Sequence, residues 1–291
     1  MRPRVLVCDN IAEEGIRLLR EKADVEVRTG LKEDELCEAI KGFDAVVVRS
    51  ATKITRRVIE SADKLRVIAR AGVGVDNIDL EAATKKGIIV VNSPMGNTIA
   101  ACEHTLALML ALARNIPQAV ASLKEGRWDR KRFMGVELFK KTLGVIGLGK
   151  IGSEVAKRAR AFGMRVLVYD PYVPADRVKA LGAEPVSFDE LLSQSDFITV
   201  HVPLTEETRH MIGREALRKV KPGVRIINCA RGGVVDEEAL YEALCDGRVA
   251  GAALDVFEEE PPDERGRRLI EHPNVIATPH LGASTEEAQV N

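Results

Sequence analysis

Residues 143–170 read LGVIGLGKIGSEVAKRARAFGMRVLVYD. Gly147, Gly149 and Gly152 stand in G-x-G-x-x-G spacing. A short apolar run precedes them, an amphipathic stretch follows, and a second β-branched run ends at Asp170, 18 residues after Gly152. A glycine triplet alone is a weak signal; set in strand, turn, helix and strand it restricts this region to a βαβ unit of a parallel sheet. Gly147 permits the tight turn, Gly149 lets backbone approach a pyrophosphate, and Gly152 lets helix and strand pack closely. N–H groups at the helix start, including those of Lys150 and Ile151, favour an anion. Asp170 can accept from ribose hydroxyls and would repel a 2′-phosphate, so the expected cofactor is NAD rather than NADP.

The rest of the chain repeats the alternation of strand and helix. RVLVC, DVEVR, AVVVR, LRVIAR and GIIVVNS supply strands in the first third, and LGVIGLGKIG, RVLVYDP, DFITVHVP, VRIINCARGG, VAGAALDVF and NVIATPH in the remainder. The expected fold is α/β, with two doubly wound parallel-sheet domains: residues 1–97, and a Rossmann domain over 98–280. NTIAACEHTLALMLALARN predicts a long core helix at the junction, capped by Asn97 or Thr98. Residues 281–291 read as the start of a helix, with a truncated tail expected after Asn291.

With 291 residues and a net charge of −1, the chain has no bulk electrostatic reason to bind nucleic acid or an acidic membrane. No run approaches the ~18 apolar residues of a membrane span. Five scattered cysteines without CxxC spacing fit free thiols in a cytoplasmic protein, without metal.

Ligands of open α/β sheets sit beyond the carboxyl ends of strands. Arg231, Asp255 and His280 stand at such ends in the second domain, Arg49 and Arg70 in the first. His280 can exchange a proton near neutral pH, and one of Glu258, Glu259 and Glu260 could hold its ring. The residues alone leave that choice open. The fork of Arg231 suits a substrate carboxylate. Together these describe hydride transfer between a nicotinamide and a 2-hydroxy or 2-oxo acid, in a crevice expected between the domains. Arg49 and Ser50, with Arg70 ahead of a turn containing Gly72, Val73 and Gly74, favour a phosphate on the same substrate.

These stretches, with RAGVGVDNIDLEAAT, GRWDRKRFMGVEL, GAALDVFEEEPP and PHLGASTEEAQ, resemble the D-isomer-specific 2-hydroxyacid dehydrogenases. VRSAT, RAGVGVDN and HLGAST resemble the branch that acts on a phosphorylated substrate. The resemblance implies a smaller, flavodoxin-like substrate domain. It implies Glu260 as the partner of His280, Arg231 as catalytic arginine, and cofactor contacts at Lys150, Ile151, Asp170, Cys229, Ala230, Arg231, Asp255, His280, Leu281, Gly282 and Ala283. Val73 stands where relatives often carry threonine, which a backbone contact would survive. A homodimer is implied, built on the helix from Asn97 and the loop around Trp128, and such dimers often pair into tetramers. Two rivals remain: a glyoxylate/hydroxypyruvate reductase or D-lactate-type dehydrogenase, and a NAD-sensing interaction protein similar to the corepressors that share this fold.

Overall fold

The computed structural model describes every residue except Met1, Pro94 and Asn291. The chain divides into two units, Met1–Asn97 with Ser284–Asn291, and Thr98–Ala283.

The smaller unit holds strands β1 (Arg4–Val7), β2 (Asp24–Val27), β3 (Ala45–Val48), β4 (Val67–Arg70) and β5 (Ile89–Asn92). All pair in parallel, in the order β2-β1-β3-β4-β5, the flavodoxin-like arrangement. Period-two alternation sorts the core by face. Leu6, Val46, Val48 and Ile68 pack with Ile40, Phe43, Ile54 and Ile59 on one side, and Val5, Val7 and Val47 on the other. Each such fully buried side chain stabilises the unit by about 1.5–3 kcal/mol.

The larger unit holds β6 (Thr142–Ile146), β7 (Arg165–Tyr169), β8 (Glu184–Pro185), β9 (Phe197–Val200), β10 (Val224–Asn228), β11 (Val249–Leu254) and β12 (Val275–Ala277). Their order is β12-β11-β10-β9-β6-β7-β8, again all parallel. The chain moves outward from β6 to β8, then returns to lay β9 on the opposite side of β6. That reversal makes the β6/β9 edge the switch point where such sheets bind ligands. Strand β8 has no counterpart among the expected strands; two residues, one a proline, carry no alternation to read, and proline is tolerated there because the strand is an edge.

The apolar segment after Asn97 forms the helix Thr98–Arg114, burying Ala101, Cys102, Leu106, Leu108, Met109 and Leu112. Asn115 in the left-handed region (φ 53°) separates it from a second helix, Ile116–Lys124. Among the described residues no single helix is long and apolar enough to cross a membrane. The larger unit ends at Ala283 rather than at 280, because the Asp255 carboxylate takes the Leu281 and Gly282 N–H groups at 2.7 and 2.8 Å.

Candidate active site

At the switch point, β6 runs into Gly147, whose φ of +89° is left-handed. A Cβ there would lie 2.7 Å from the His201 carbonyl oxygen, and one on Gly152 would lie 2.1 Å from that of Gly147. The turn therefore closes only on glycine at both positions. Gly149 faces open space, with no atom within 4 Å of its would-be Cβ. It opens the helix Lys150–Ala161, and no side chain caps that end. Asp170, just past β7, is fastened beside the loop: its oxygens accept the Leu148 N–H at 2.7 Å and the Tyr172 N–H at 2.9 Å. Open space beside a positive helix end, with a carboxylate held one strand away, fits a dinucleotide.

His201, which the sequence reading left without a role, lies beneath this loop. Its N–H bonds the Ile146 carbonyl at 2.8 Å and its Nε2 meets Thr199 Oγ1 at 3.0 Å. Burial pushes its imidazole down to about 4, so it stays neutral. The only sequence signal was its position directly after an apolar strand.

The RGG turn follows β10. Asn228, 2% exposed, ends that strand and spans the turn. Its Nδ2 donates to the Arg231 carbonyl at 2.9 Å and its Oδ1 accepts the Ala230 N–H at 3.0 Å. The Arg231 guanidinium donates to the Ala230 carbonyl at 2.6 Å. Cys229 is a thiol in this setting, pushed up to about 12 by burial.

Of the three glutamates, it is Glu260, the one the family resemblance implies, that meets the histidine: its Oε2 lies 2.7 Å from His280 Nδ1. Its Oε1 accepts the Phe257 N–H at 3.2 Å. Glu258 turns elsewhere, to His210 Nε2 at 3.1 Å and the Glu237 N–H at 3.3 Å. The buried Glu237 returns the contact by accepting the Glu258 N–H at 2.6 Å. The hydrogen bond to Glu260 raises the His280 pKa; burial and the charge of Arg231 oppose it without cancelling it. Burial drives Glu260 upward, but the hydrogen bond and charge of His280 outweigh it and leave the carboxyl below its ordinary range. With Nδ1 engaged, Nε2 is the nitrogen left to exchange a proton with a ligand.

His280 itself has φ +54°. A non-glycine residue in that region costs of order 1–3 kcal/mol and persists only where its surroundings impose it. Asp255 does much of the imposing. Its carboxylate, 1% exposed, accepts from the Leu281 and Gly282 N–H groups and from Thr278 Oγ1 at 2.6 Å. Asp255 thus fixes the turn through which His280 and the expected contacts Leu281, Gly282 and Ala283 pass.

In the smaller unit, Arg49 follows β3 and Arg70 ends β4, and Val48 and Arg70 are register partners. The two arginines therefore leave neighbouring strands at the same carboxyl edge. The buried Asp9 anchors the loop after β3, accepting the Arg49 N–H at 2.5 Å, the Thr52 N–H at 3.2 Å and Thr52 Oγ1 at 2.7 Å. Asn77 Nδ2 donates to the Arg49 and Thr52 carbonyls, each at 2.6 Å. The Arg49 guanidinium also bonds the Gln289 side chain. Arg70 folds back over Gly72, where a Cβ would lie 1.7 Å from Nη1. The Val73 carbonyl accepts from Asn92 Nδ2 at 2.6 Å. Ser50 is exposed and Gly74 half-buried on the same loops.

Residues 106–282 match the family described as D-isomer specific 2-hydroxyacid dehydrogenase, NAD binding domain. The chain is 60% identical over 287 residues to a D-3-phosphoglycerate dehydrogenase of Methanocaldococcus jannaschii, covering 98% of this chain and 54% of that protein. It is 53% identical over 290 residues to a hydroxypyruvate reductase of Thermotoga maritima, covering 99% of this chain and 94% of that one. The crystal structure of an Aquifex aeolicus D-lactate dehydrogenase complexed with NAD and lactic acid superposes with a TM-score of 0.87 at 33% identity, over 98% of this chain and 90% of that one. The chain spans about half the length of the curated D-3-phosphoglycerate dehydrogenases it matches. It belongs to the D-isomer specific 2-hydroxyacid dehydrogenase family, whose NAD-binding domain it carries in residues 106–282.

Proposed function

We propose that this chain oxidises D-3-phosphoglycerate to 3-phosphohydroxypyruvate, the step that opens serine biosynthesis, with His280 as acid/base, Glu260 as its partner and Arg231 as carboxylate clamp. The observation that carries the reading is the 2.7 Å contact between Glu260 and His280. Bound NAD would supply the hydride acceptor. Its pyrophosphate would meet the N–H groups of the loop Gly147–Gly152, and its ribose Asp170. His280 Nε2 takes the proton of the 2-hydroxyl as the C2 hydride leaves, and Glu260 stabilises the resulting imidazolium. In reduction the same nitrogen returns the proton to the carbonyl oxygen. Arg231 grips the α-carboxylate with its planar fork, and Arg49 and Arg70 take the phosphate.

The likeness to the Thermotoga hydroxypyruvate reductase favours a second reading, in which the substrate bears no phosphate. NADH consumption with 3-phosphohydroxypyruvate, hydroxypyruvate and glyoxylate separates the two, in the native protein and in Arg49→Ala. A loss confined to the phosphorylated substrate supports the first reading; equal losses favour the second. Tight NADH binding with no turnover of any substrate sinks both and returns the sensor reading.

We further propose a cytoplasmic homodimer. Support comes from five free cysteines and from the exposed Ile116, Val120, Leu123, Trp128 and Met134 of the larger unit. Sedimentation of Trp128→Glu beside the native protein tests the assembly.

A further inference from the structure

His104 lies on the helix Thr98–Arg114, 174 residues from Thr278 in the sequence. Its Nε2 is 3.2 Å from Asp255 Oδ1 and 3.1 Å from Thr278 Oγ1. The Thr278 hydroxyl spends its one proton on Asp255, at 2.6 Å. Toward His104 that oxygen can therefore only accept, as can the carboxylate. Both contacts require Nε2 to carry hydrogen, a condition met by the neutral Nε2–H tautomer and by the imidazolium alike. His104 is thus a fixed donor, and its Nε2–H is shared between two acceptors.

What it holds is the frame of the His280 turn. Thr278 stands two residues before His280, and Leu281 and Gly282 directly follow it; Asp255 binds all three. Room is short as well: a Cβ on Gly282 would come within 3.2 Å of Asp255 Oδ2. The left-handed backbone of His280 is clamped from both sides by one carboxylate, and His104 braces that carboxylate from the helix. If the carboxylate swings, the turn is free to relax and Nδ1 leaves Glu260.

We propose that His104 is a positioning residue for the acid/base histidine, acting through Asp255 and Thr278 to hold the strained turn that aims His280 at Glu260. The inference rests on the proposed role of His280 in turnover, but its geometry can be read without any substrate.

Two variants of one position separate positioning from simple packing. His104→Gln can place an amide N–H near the imidazole Nε2–H; His104→Leu fills the volume without a donor. In nitrogen-15-labelled protein without ligand, the ring titration of His280 is followed by NMR and assigned by its loss in His280→Gln. The charged groups acting on that ring are Glu260, Asp255 and Arg231. The expected result is a fall of the His280 midpoint toward the ordinary imidazole value in His104→Leu and retention of the native midpoint in His104→Gln. In turnover, kcat falls about tenfold in His104→Leu with a much smaller change in substrate KM, and His104→Gln recovers most of it. Thr278→Val follows the leucine variant and Thr278→Ser the native protein, which keeps the test open should His104→Leu fail to fold. A native His280 midpoint in His104→Leu, or in Thr278→Val should the leucine variant fail to fold, overturns the proposal, as does equal loss in the leucine and glutamine variants. Native protein that turns over no 2-oxo acid overturns the proposed activity and leaves the titration to decide the positioning role.

Discussion

A Cβ placed on Gly232 would sit 1.7 Å from the carbonyl oxygen of Phe257. Gly232 follows Arg231, and the Phe257 N–H bonds the Glu260 carboxylate at 3.2 Å. One backbone-to-backbone contact therefore fixes the turn carrying the arginine against the loop carrying the glutamate.

Gly232→Ala must push these two segments apart, because backbone on both sides cannot yield as a side-chain tip can. The expected cost is about 1–3 kcal/mol of stability and a fall of roughly a hundredfold in kcat/KM, since displacements near 1 Å at a reacting centre cost that much. Denaturant unfolding and steady-state kinetics check it. An alanine variant with native kcat/KM would show that the spacing of Arg231 and Glu260 is not set here.

The Glu260–His280 pair predicts the pH behaviour. In its proposed role His280 must be neutral to accept a proton in oxidation, so its raised pKa places the rising limb of kcat above the ordinary imidazole range. Glu260→Gln removes the main cause of that rise; the limb moves to lower pH and kcat falls by roughly a hundredfold. For stability, the raised histidine contributes fully below its unfolded pKa, and that contribution is lost as pH rises through the folded value. The depressed Glu260 contributes above its unfolded pKa and loses this as pH falls through its folded value. Both side chains are more than a third exposed, which keeps the effect modest. A limb unmoved by Glu260→Gln in a kcat–pH series would sink the assignment.

The features legible in the sequence were those whose physics is local. Gly147, Gly152 and Asp170 act within one βαβ unit, so their spacing encodes the turn, the close approach and the carboxylate held beside the loop together. Arg231 and His280 were legible because a charged or titratable group at the end of an apolar strand needs a reason to be there. The glutamate beside His280 was legible only through the family resemblance, which implied Glu260; locally, three consecutive acids differ only in where the loop points them. Asn228 looked like one more residue of its strand, though its side chain fixes the turn after it. His104 looked like part of an apolar helix face; its partner Thr278 lies 174 residues away. The last residues of the larger unit were assigned elsewhere because Asp255 reaches across 26 and 27 residues to hold them.

Asn228 offers a cleaner perturbation of Arg231 than the arginine itself. Asn228→Ala leaves the Arg231 carbonyl and the Ala230 N–H without their amide partner in a partly buried setting, an expected loss of about 0.5–1.5 kcal/mol for each hydrogen bond. The turn then loosens around the clamp, so the KM for the oxo acid rises several-fold while NADH affinity holds. Thermal unfolding, NADH fluorescence titration and substrate KM measured on one preparation distinguish this from general damage. A parallel loss of NADH binding and substrate binding would mean that Asn228 supports the fold of the unit rather than the clamp.

Asp170 should set the choice between the two nicotinamide cofactors. Its carboxylate is fixed by the Leu148 and Tyr172 N–H groups, so it cannot turn away from a ligand seated on the loop, and each oxygen retains capacity for a further donor. Hydrogen bonds to a charged group are worth about 1.5–3 kcal/mol, so Asp170→Ala is expected to weaken NADH by roughly ten- to a hundredfold. The same change removes the repulsion of a 2′-phosphate, and NADPH affinity holds or rises. Fluorescence titration with each cofactor, in the native and variant proteins, reads the ratio directly. Equal weakening of both cofactors would show that Asp170 serves only to pin the glycine loop and does not read the ribose.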